Sequence, residues 1–105
     1  MKRKNISVLG GGSWGTVLAY LASLNGNDVT LWMRDSNRAE EINKNKINLR
    51  YLPELNLGNN ITATSDIEDA QDSDLIIFCV PSDAFRSISM LASSVIKEKT
   101  FLITA

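Results

Sequence analysis

A doubly wound α/β domain built on one open, parallel sheet is predicted by three observations. Apolar runs of strand length alternate with runs of helical period along all 105 residues. A glycine-rich turn, Gly10-Gly11-Gly12-Ser13-Trp14-Gly15, joins the first apolar run, Ile6-Ser7-Val8-Leu9, to the first amphipathic one. The run Leu75-Ile76-Ile77-Phe78-Cys79-Val80 is apolar throughout, as strands covered by helices on both faces are.

Each element follows in turn. The first helix begins near Ser13 or Trp14, sets Val17, Leu18, Leu21 and Leu24 on an inward stripe, and stops at Asn25-Gly26. Val29-Thr30-Leu31-Trp32-Met33 forms a second strand parallel to the first, with that helix as the right-handed crossover. Asp35-Ser36-Asn37 caps a helix over about Arg38 to Lys46, with Ala39 and Ile42 inward. Residues 47–60 hold Pro53 and Gly58 but also Leu49, Tyr51, Leu52, Leu55 and Leu57, too apolar for a free linker, so they are expected to fold back onto the domain. Residues 61–64 make a third strand, and Ser65-Asp66-Ile67-Glu68 has capping-box spacing before a brief helix through Ala70. The fourth strand leaves the sheet at Pro81; Ser82 and Asp83 are cap candidates for a helix through about Ile96, with Ala84, Ile88, Leu91, Ala92 and Val95 inward. Residues 99–104 form the fifth strand. The order 3-2-1-4-5 of a Rossmann-type sheet follows, with ligands beyond the carboxyl ends of the strands at the switch between strands 1 and 4. Gly10 to Gly15 and Val80 to Asp83 both fall there.

Gly-x-Gly-x-x-Gly between a strand and a helix is the pattern of a dinucleotide pyrophosphate site. Gly10 lets the chain turn out of the strand, Gly12 removes a side chain that would block the anion, and Gly15 lets the helix lie close to the strand. Unpaired N–H groups at the helix N-terminus then face the phosphates. A turn that merely reverses the chain is the competing reading. The strand before it, the helix after it and the second strand favour the cofactor.

At the end of the second strand, where a carboxylate that accepts from the adenosine ribose is expected, stands Arg34. A guanidinium pairs with a 2′-phosphate and stacks on adenine; such a charge-assisted pair is worth about 1.5–3 kcal/mol, roughly ten- to a hundred-fold in preference. NADP is therefore favoured. Asp35 leaves NAD open, since a shift of one residue in the turn would bring its carboxylate to the ribose, and a solvated arginine at a strand end is the bland alternative.

The net charge of −1 and the lack of a basic block argue against nucleic acid as a partner. Lys2, Arg3 and Lys4 form a short basic tip without the apolar stretch of a targeting signal, and the longest apolar runs are too short for a membrane span. Cys79 is the only cysteine and reads as a buried structural thiol; histidine is absent, so no Ser-His, Cys-His or His-metal arrangement can be drawn. No metal site is expected.

Several segments together resemble a family. Gly-x-Gly-Ser-Trp-Gly at 10–15, Leu31-Trp32 with Arg34, Asn48-x-x-Tyr51-Leu52-Pro53, Ile61-x-Ala63-Thr64-x-Asp66, and Val80-Pro81-Ser82 with Arg86 resemble bacterial NAD(P)-dependent glycerol-3-phosphate dehydrogenase in order and spacing, over essentially the whole chain. The resemblance implies reversible hydride transfer between NAD(P)H and dihydroxyacetone phosphate, giving sn-glycerol 3-phosphate for phospholipid synthesis in the cytoplasm. It makes Ser13, Trp14 and Arg34 cofactor contacts and matches Tyr51 to another. Val80-Pro81-Ser82 would line the cofactor cleft and Phe85 close over part of it, with packing as the alternative for these. Trp14 either offers its backbone N–H or fills the cleft wall. Gly10, Gly12, Ser13, Trp14, Gly15, Arg34, Tyr51, Pro81 and Ser82 are thus the expected cofactor-binding residues, with no catalytic residue assigned. Asp35 departs from relatives that carry a second basic or imidazole side chain there. The family reading allows a homodimer.

The chain stops at Ala105 directly after an apolar run and so reads as a cut domain. The Ser/Thr-Lys-Gly segment that follows this strand in the family, and the helical domain with the catalytic lysine and phosphate-binding residues, are missing. Lys97 and Lys99 precede the fifth strand, at its amino end, on the wrong edge for the ligand. The expectation is one dinucleotide-binding domain over 1–105, unable to turn over substrate alone, with an exposed apolar face and an open strand edge prone to association. A freestanding NAD(P)-binding regulatory module, and the cofactor domain of a related two-domain dehydrogenase, are the competing readings.

Overall fold

The computed structural model describes residues 4–105, so that Lys2 and Arg3 of the basic tip lie outside the described residues. The elements run β1 (Asn5–Leu9), α1 (Ser13–Leu24), β2 (Asp28–Trp32), α2 (Ser36–Asn45), β3 (Ile61–Thr64), a 3₁₀ turn (Ile67–Ala70), β4 (Leu75–Phe78), α3 (Ser82–Ala92) and β5 (Phe101–Thr104). All pairings are parallel and the order is β3-β2-β1-β4-β5, as expected from the crossovers. Thr64, Trp32, Leu9, Phe78 and Thr104 lie in one row across the sheet. All five strands therefore end level, and the segments that follow them form one carboxyl edge.

Alternation along the strands divides the core in two. Val8, Val29, Leu31, Met33, Ile61 and Ala63 pack with Ala19, Ala39 and Ile42 under α1 and α2. Leu9, Trp32, Ile76 and Phe78 pack with Ile67, Ile88, Ala92 and Val95 under the 3₁₀ turn and α3. The helices thus cover opposite faces. The cover is incomplete at β5, all four of whose residues are exposed.

α1 corrects the expected leucine stripe. It turns Gly15, Thr16, Ala19 and Ser23 to the sheet and leaves Leu21 and Leu24 exposed. The reason is distance: the helix lies against β1 so closely that only small side chains fit beneath it. The hydroxyls this buries are satisfied within the helix, Thr16 Oγ1 donating to the Gly12 carbonyl at 2.7 Å and Ser23 Oγ to the Tyr20 carbonyl at 2.7 Å.

α1 starts at Ser13 as expected, whereas the later helices shift by one or two residues, α2 beginning at Ser36 rather than about Arg38. Asp35 caps α2, its Oδ1 accepting from the N–H of Asn37 and of Arg38. Asp66, not Ser65, caps the 3₁₀ turn, because the Ser65 carbonyl accepts the buried Trp32 indole N–H at 3.1 Å and so belongs to the strand end. Pro81 is the N-cap of α3, with Ser82 already inside the helix, and no side chain caps it. α3 ends at Ala92 rather than near Ile96; Val95 is still buried, while Leu91 is exposed. Residues 47–60 fold back as expected: Asn48 and Leu57 are buried, and the Leu57 N–H donates to the Lys46 carbonyl at 2.7 Å.

Candidate dinucleotide site

The glycine turn is shaped by contacts that exclude side chains. Gly10 has φ +131°, a left-handed conformation, and a Cβ there would overlap the Cys79 carbonyl. Its N–H donates to the Trp32 carbonyl at 2.9 Å, tying the end of β1 to the end of β2. A Cβ at Gly15 would overlap the Gly10 carbonyl oxygen, which is why α1 can lie so close. At Gly12 a Cβ would meet nothing within 4 Å, so this face of the turn opens outward. Among the described residues, no backbone or side-chain group accepts from the N–H of Gly12, Ser13, Trp14 or Gly15. Together these donors form an anion cradle at the N-terminus of α1, where the helix dipole adds about 0.3–1 kcal/mol for a negative charge. The residues present fit a dinucleotide pyrophosphate.

Ser13 and Trp14 open α1 and are both exposed, Trp14 by 57%. The indole therefore fills no core. Arg34, just past β2, places its guanidinium 5.9 Å from the centre of the Trp32 ring and donates to Ser87 Oγ on α3 at 3.3 Å. It spans the carboxyl edge from β2 to α3. The neighbouring Asp35 has its Oδ1 engaged at the α2 N-terminus.

Two residues to which sequence reasoning gave no site role, Asn48 having served only as part of the resemblance, brace the turn from behind. Arg38, in the first turn of α2, donates to the Gly11 carbonyl at 3.0 Å and lies 4.9 Å from the centre of the Tyr51 ring. Helical side chains lean toward their own N-terminus, so an arginine three residues past the Asp35 cap reaches back over the edge; that direction was the available signal. Asn48 donates to the same carbonyl at 3.0 Å and to Thr16 Oγ1 at 2.8 Å. Tyr51 is held between Arg38 and Arg50, its N–H donating to the Asn48 carbonyl at 3.3 Å, and its ring meets the glycine turn through Arg38.

On the other side of β1, Pro81 and Ser82 are exposed at the start of α3. Phe78, Val80, Ser82, Phe85, Thr104 and Ala105 line a cavity of about 470 Å³ on this edge, with the Phe85 ring 5.2 Å from that of Phe78. Burial raises the Cys79 thiol above its ordinary value, so it is held protonated beside the turn. Lys97 pairs with Asp72, whose carbonyl accepts from Asn5 at the start of β1, placing this lysine on the opposite edge. Among the described residues no cluster could hold a metal ion, and no helix is long and apolar enough to cross a membrane.

A parallel 3-2-1-4-5 sheet with a glycine turn at its switch point defines the Rossmann-type domain found in dehydrogenases. The chain belongs to the family described as NAD-dependent glycerol-3-phosphate dehydrogenase N-terminus, which matches residues 5–105. It is 51% identical over 84 residues to glycerol-3-phosphate dehydrogenase [NAD(P)+] of Acinetobacter baumannii, covering 79% of this chain and 24% of that one. The enzyme of the same name from Rickettsia massiliae is 48% identical over 104 residues, 97% of this chain and 32% of the relative. The crystal structure of glycerol-3-phosphate dehydrogenase (gpsA) from Coxiella burnetii superposes with a TM-score of 0.91 at 31% identity, over 98% of this chain and 32% of that one. The chain thus spans about a quarter to a third of the length of these relatives.

Proposed function

We propose that this chain is the cofactor-binding part of an NAD(P)-dependent glycerol-3-phosphate dehydrogenase and that residues 1–105 form one dinucleotide-binding domain. The observation that carries the reading is the set of N–H groups at Gly12 to Gly15, without an acceptor among the described residues, beside the open face of Gly12. These donors hold the pyrophosphate, Gly10 and Gly15 keep the turn in shape, and Ser13 and Trp14 border it. Arg34 takes the adenine end; Pro81 and Ser82 line the nicotinamide side; Tyr51 acts through Arg38. When bound, the cofactor supplies a hydride to the carbonyl carbon of dihydroxyacetone phosphate, and with one proton on the oxygen the product is sn-glycerol 3-phosphate. The reaction runs in the cytoplasm and feeds phospholipid synthesis. The substrate pocket and the proton donor belong to the further length that the relatives have, so no turnover is expected of this chain alone.

NADP is the preferred cofactor. The engagement of Asp35 as the α2 cap favours this, since that carboxylate is held by two backbone N–H groups while Arg34 stands at the edge. Equilibrium titration of the chain with NADPH and NADH, read by tryptophan emission, tests the reading. Trp32 is 2% exposed and Trp14 57%, so the response is expected from Trp14 and should vanish in Trp14→Phe. Binding of NADPH at least ten-fold tighter than NADH is the expected result. No binding of either cofactor overturns it.

A further inference from the structure

The buried carboxamide of Asn48 does something that its position in an irregular segment conceals. Asn48 is 2% exposed, and its single Nδ2 serves two acceptors, the Gly11 carbonyl at 3.0 Å and Thr16 Oγ1 at 2.8 Å. Of the neutral side chains, only an amide offers two hydrogens from one nitrogen, as this geometry requires. Arg38 takes the remaining lone pair of the Gly11 carbonyl at 3.0 Å. Thr16 in turn holds the Gly12 carbonyl twice, through its N–H at 3.0 Å and its Oγ1 at 2.7 Å. Two successive carbonyls are therefore each held by two donors, and Asn48 joins both sets.

A trans peptide is planar, with its N–H opposed to its C=O, and no peptide bond in the described residues is cis. Drawing the Gly11 carbonyl back toward Asn48 and Arg38 directs the Gly12 N–H outward. Holding the Gly12 carbonyl on Thr16 does the same for the Ser13 N–H. Both are then turned away from the groups that hold the carbonyls, next to a position where a Cβ would meet nothing. We propose that Asn48 is a positioning residue for pyrophosphate binding: its carboxamide, on the Gly11 carbonyl and the Thr16 hydroxyl, orients the two peptide planes whose N–H groups receive the anion. The segment around residues 47–57 is then a brace for the glycine turn. Pre-orienting these donors removes an ordering cost that would otherwise weaken binding.

This inference rests on the proposed cofactor reading, and the test separates the two. ADP, which carries the pyrophosphate without nicotinamide or 2′-phosphate, is titrated against the chain, Asn48→Ala, Thr16→Val and Thr16→Ser, and amide hydrogen exchange is followed without ligand. Asn48→Ala is expected to weaken ADP about ten-fold, since the Gly11 carbonyl keeps only Arg38 and the Thr16 hydroxyl loses its donor. Thr16→Val keeps the volume and should weaken it several-fold, while Thr16→Ser, which retains the hydroxyl, stays within two-fold. Exchange at residue 16, whose N–H donates to the Gly12 carbonyl, should quicken in Asn48→Ala and Thr16→Val, with Val8 and Leu31 unchanged. Wild-type affinity in Asn48→Ala, or exchange that quickens equally in the strands, overturns the positioning role and leaves the cofactor reading intact. Failure of the unaltered chain to bind ADP and NADPH overturns both.

Discussion

The carbonyl oxygen of Gly10 occupies the space that a Cβ on Gly15 would need, so the first turn of α1 is seated directly on the end of β1. This contact sets the depth of the whole helix and explains why Thr16, Ala19 and Ser23 face the sheet. Gly15→Ala must push the helix out, at a cost of about 1–3 kcal/mol or more, as overpacking does, lowering the melting temperature by roughly 10 °C or more for a domain of this size. Gly12→Ala is expected to behave in the opposite way. Its Cβ meets no protein atom, and the poorer N-cap is offset by the reduced freedom of the unfolded chain, so stability should change by less than about 1 kcal/mol. NADPH affinity should nevertheless fall at least about ten-fold, because the methyl stands beside the anion cradle. Calorimetry and titration of the two variants check both arms; equal melting temperatures would contradict the seating of α1.

The neighbours Arg34 and Asp35 have separable roles. Arg34→Ala should weaken NADPH by roughly ten- to a hundred-fold and leave NADH within two-fold, as the loss of one charge-assisted contact to a 2′-phosphate predicts. Asp35→Ala should cost about 1 kcal/mol of stability through the lost α2 cap, and Asp35→Asn should restore it. Neither change at 35 should weaken NADH. A selective loss of NADH affinity in Asp35→Asn would return this carboxylate to the ribose.

How far these features could be read from residues alone depends on what carries them. β3 falls at the expected 61–64, and the strand order follows from right-handed crossovers, because both are set by local pattern and handedness. The glycine turn is legible because its shape rests on backbone geometry that only glycine allows at Gly10 and Gly15. The inward face of α1 was not, since a leucine period signals a core stripe only when the helix stands at an ordinary distance from the sheet. The contacts of Arg38 and Asn48 with the turn stayed hidden for another reason. Their partner is the Gly11 carbonyl, 27 and 37 residues away, and nothing in the pattern of residues 47–60 says where the folded-back segment touches the turn.

Cys79 is expected to be a slow thiol. Burial disfavours its thiolate and raises the pKa, so at pH 8 the folded chain holds less thiolate than an unfolded one. Reaction with a disulfide reagent at pH 8 should run several-fold slower in the native chain than in guanidinium. Linkage gives the sign for stability: the protonated thiol is favoured in the folded state, so this contribution is present below the ordinary thiol range and is lost as the pH rises through it. A native rate equal to the denatured one would place the thiol in solvent.

β5 gives the last prediction. It pairs with β4 along one side and stands at the edge of the sheet, with Phe101 exposed by 76% and Leu102 and Ile103 by 49% each. Adjacent residues point to opposite faces, so both faces of this strand are apolar and open, and among the described residues no strand pairs along its outer edge. A second copy of the chain can pair along that edge and cover the exposed side chains. Four residues provide a short ladder, well below the roughly 800 Å² per partner of a stable interface, so association should be weak and dependent on concentration. Sedimentation velocity should show the weight-average mass rising as the protein is concentrated. Phe101→Lys places a charge on the edge and should abolish the rise without altering NADPH affinity, since β5 begins on the far side of the sheet from the glycine turn. An unchanging monomer at high concentration, or association that survives Phe101→Lys, would rule out this edge as the contact.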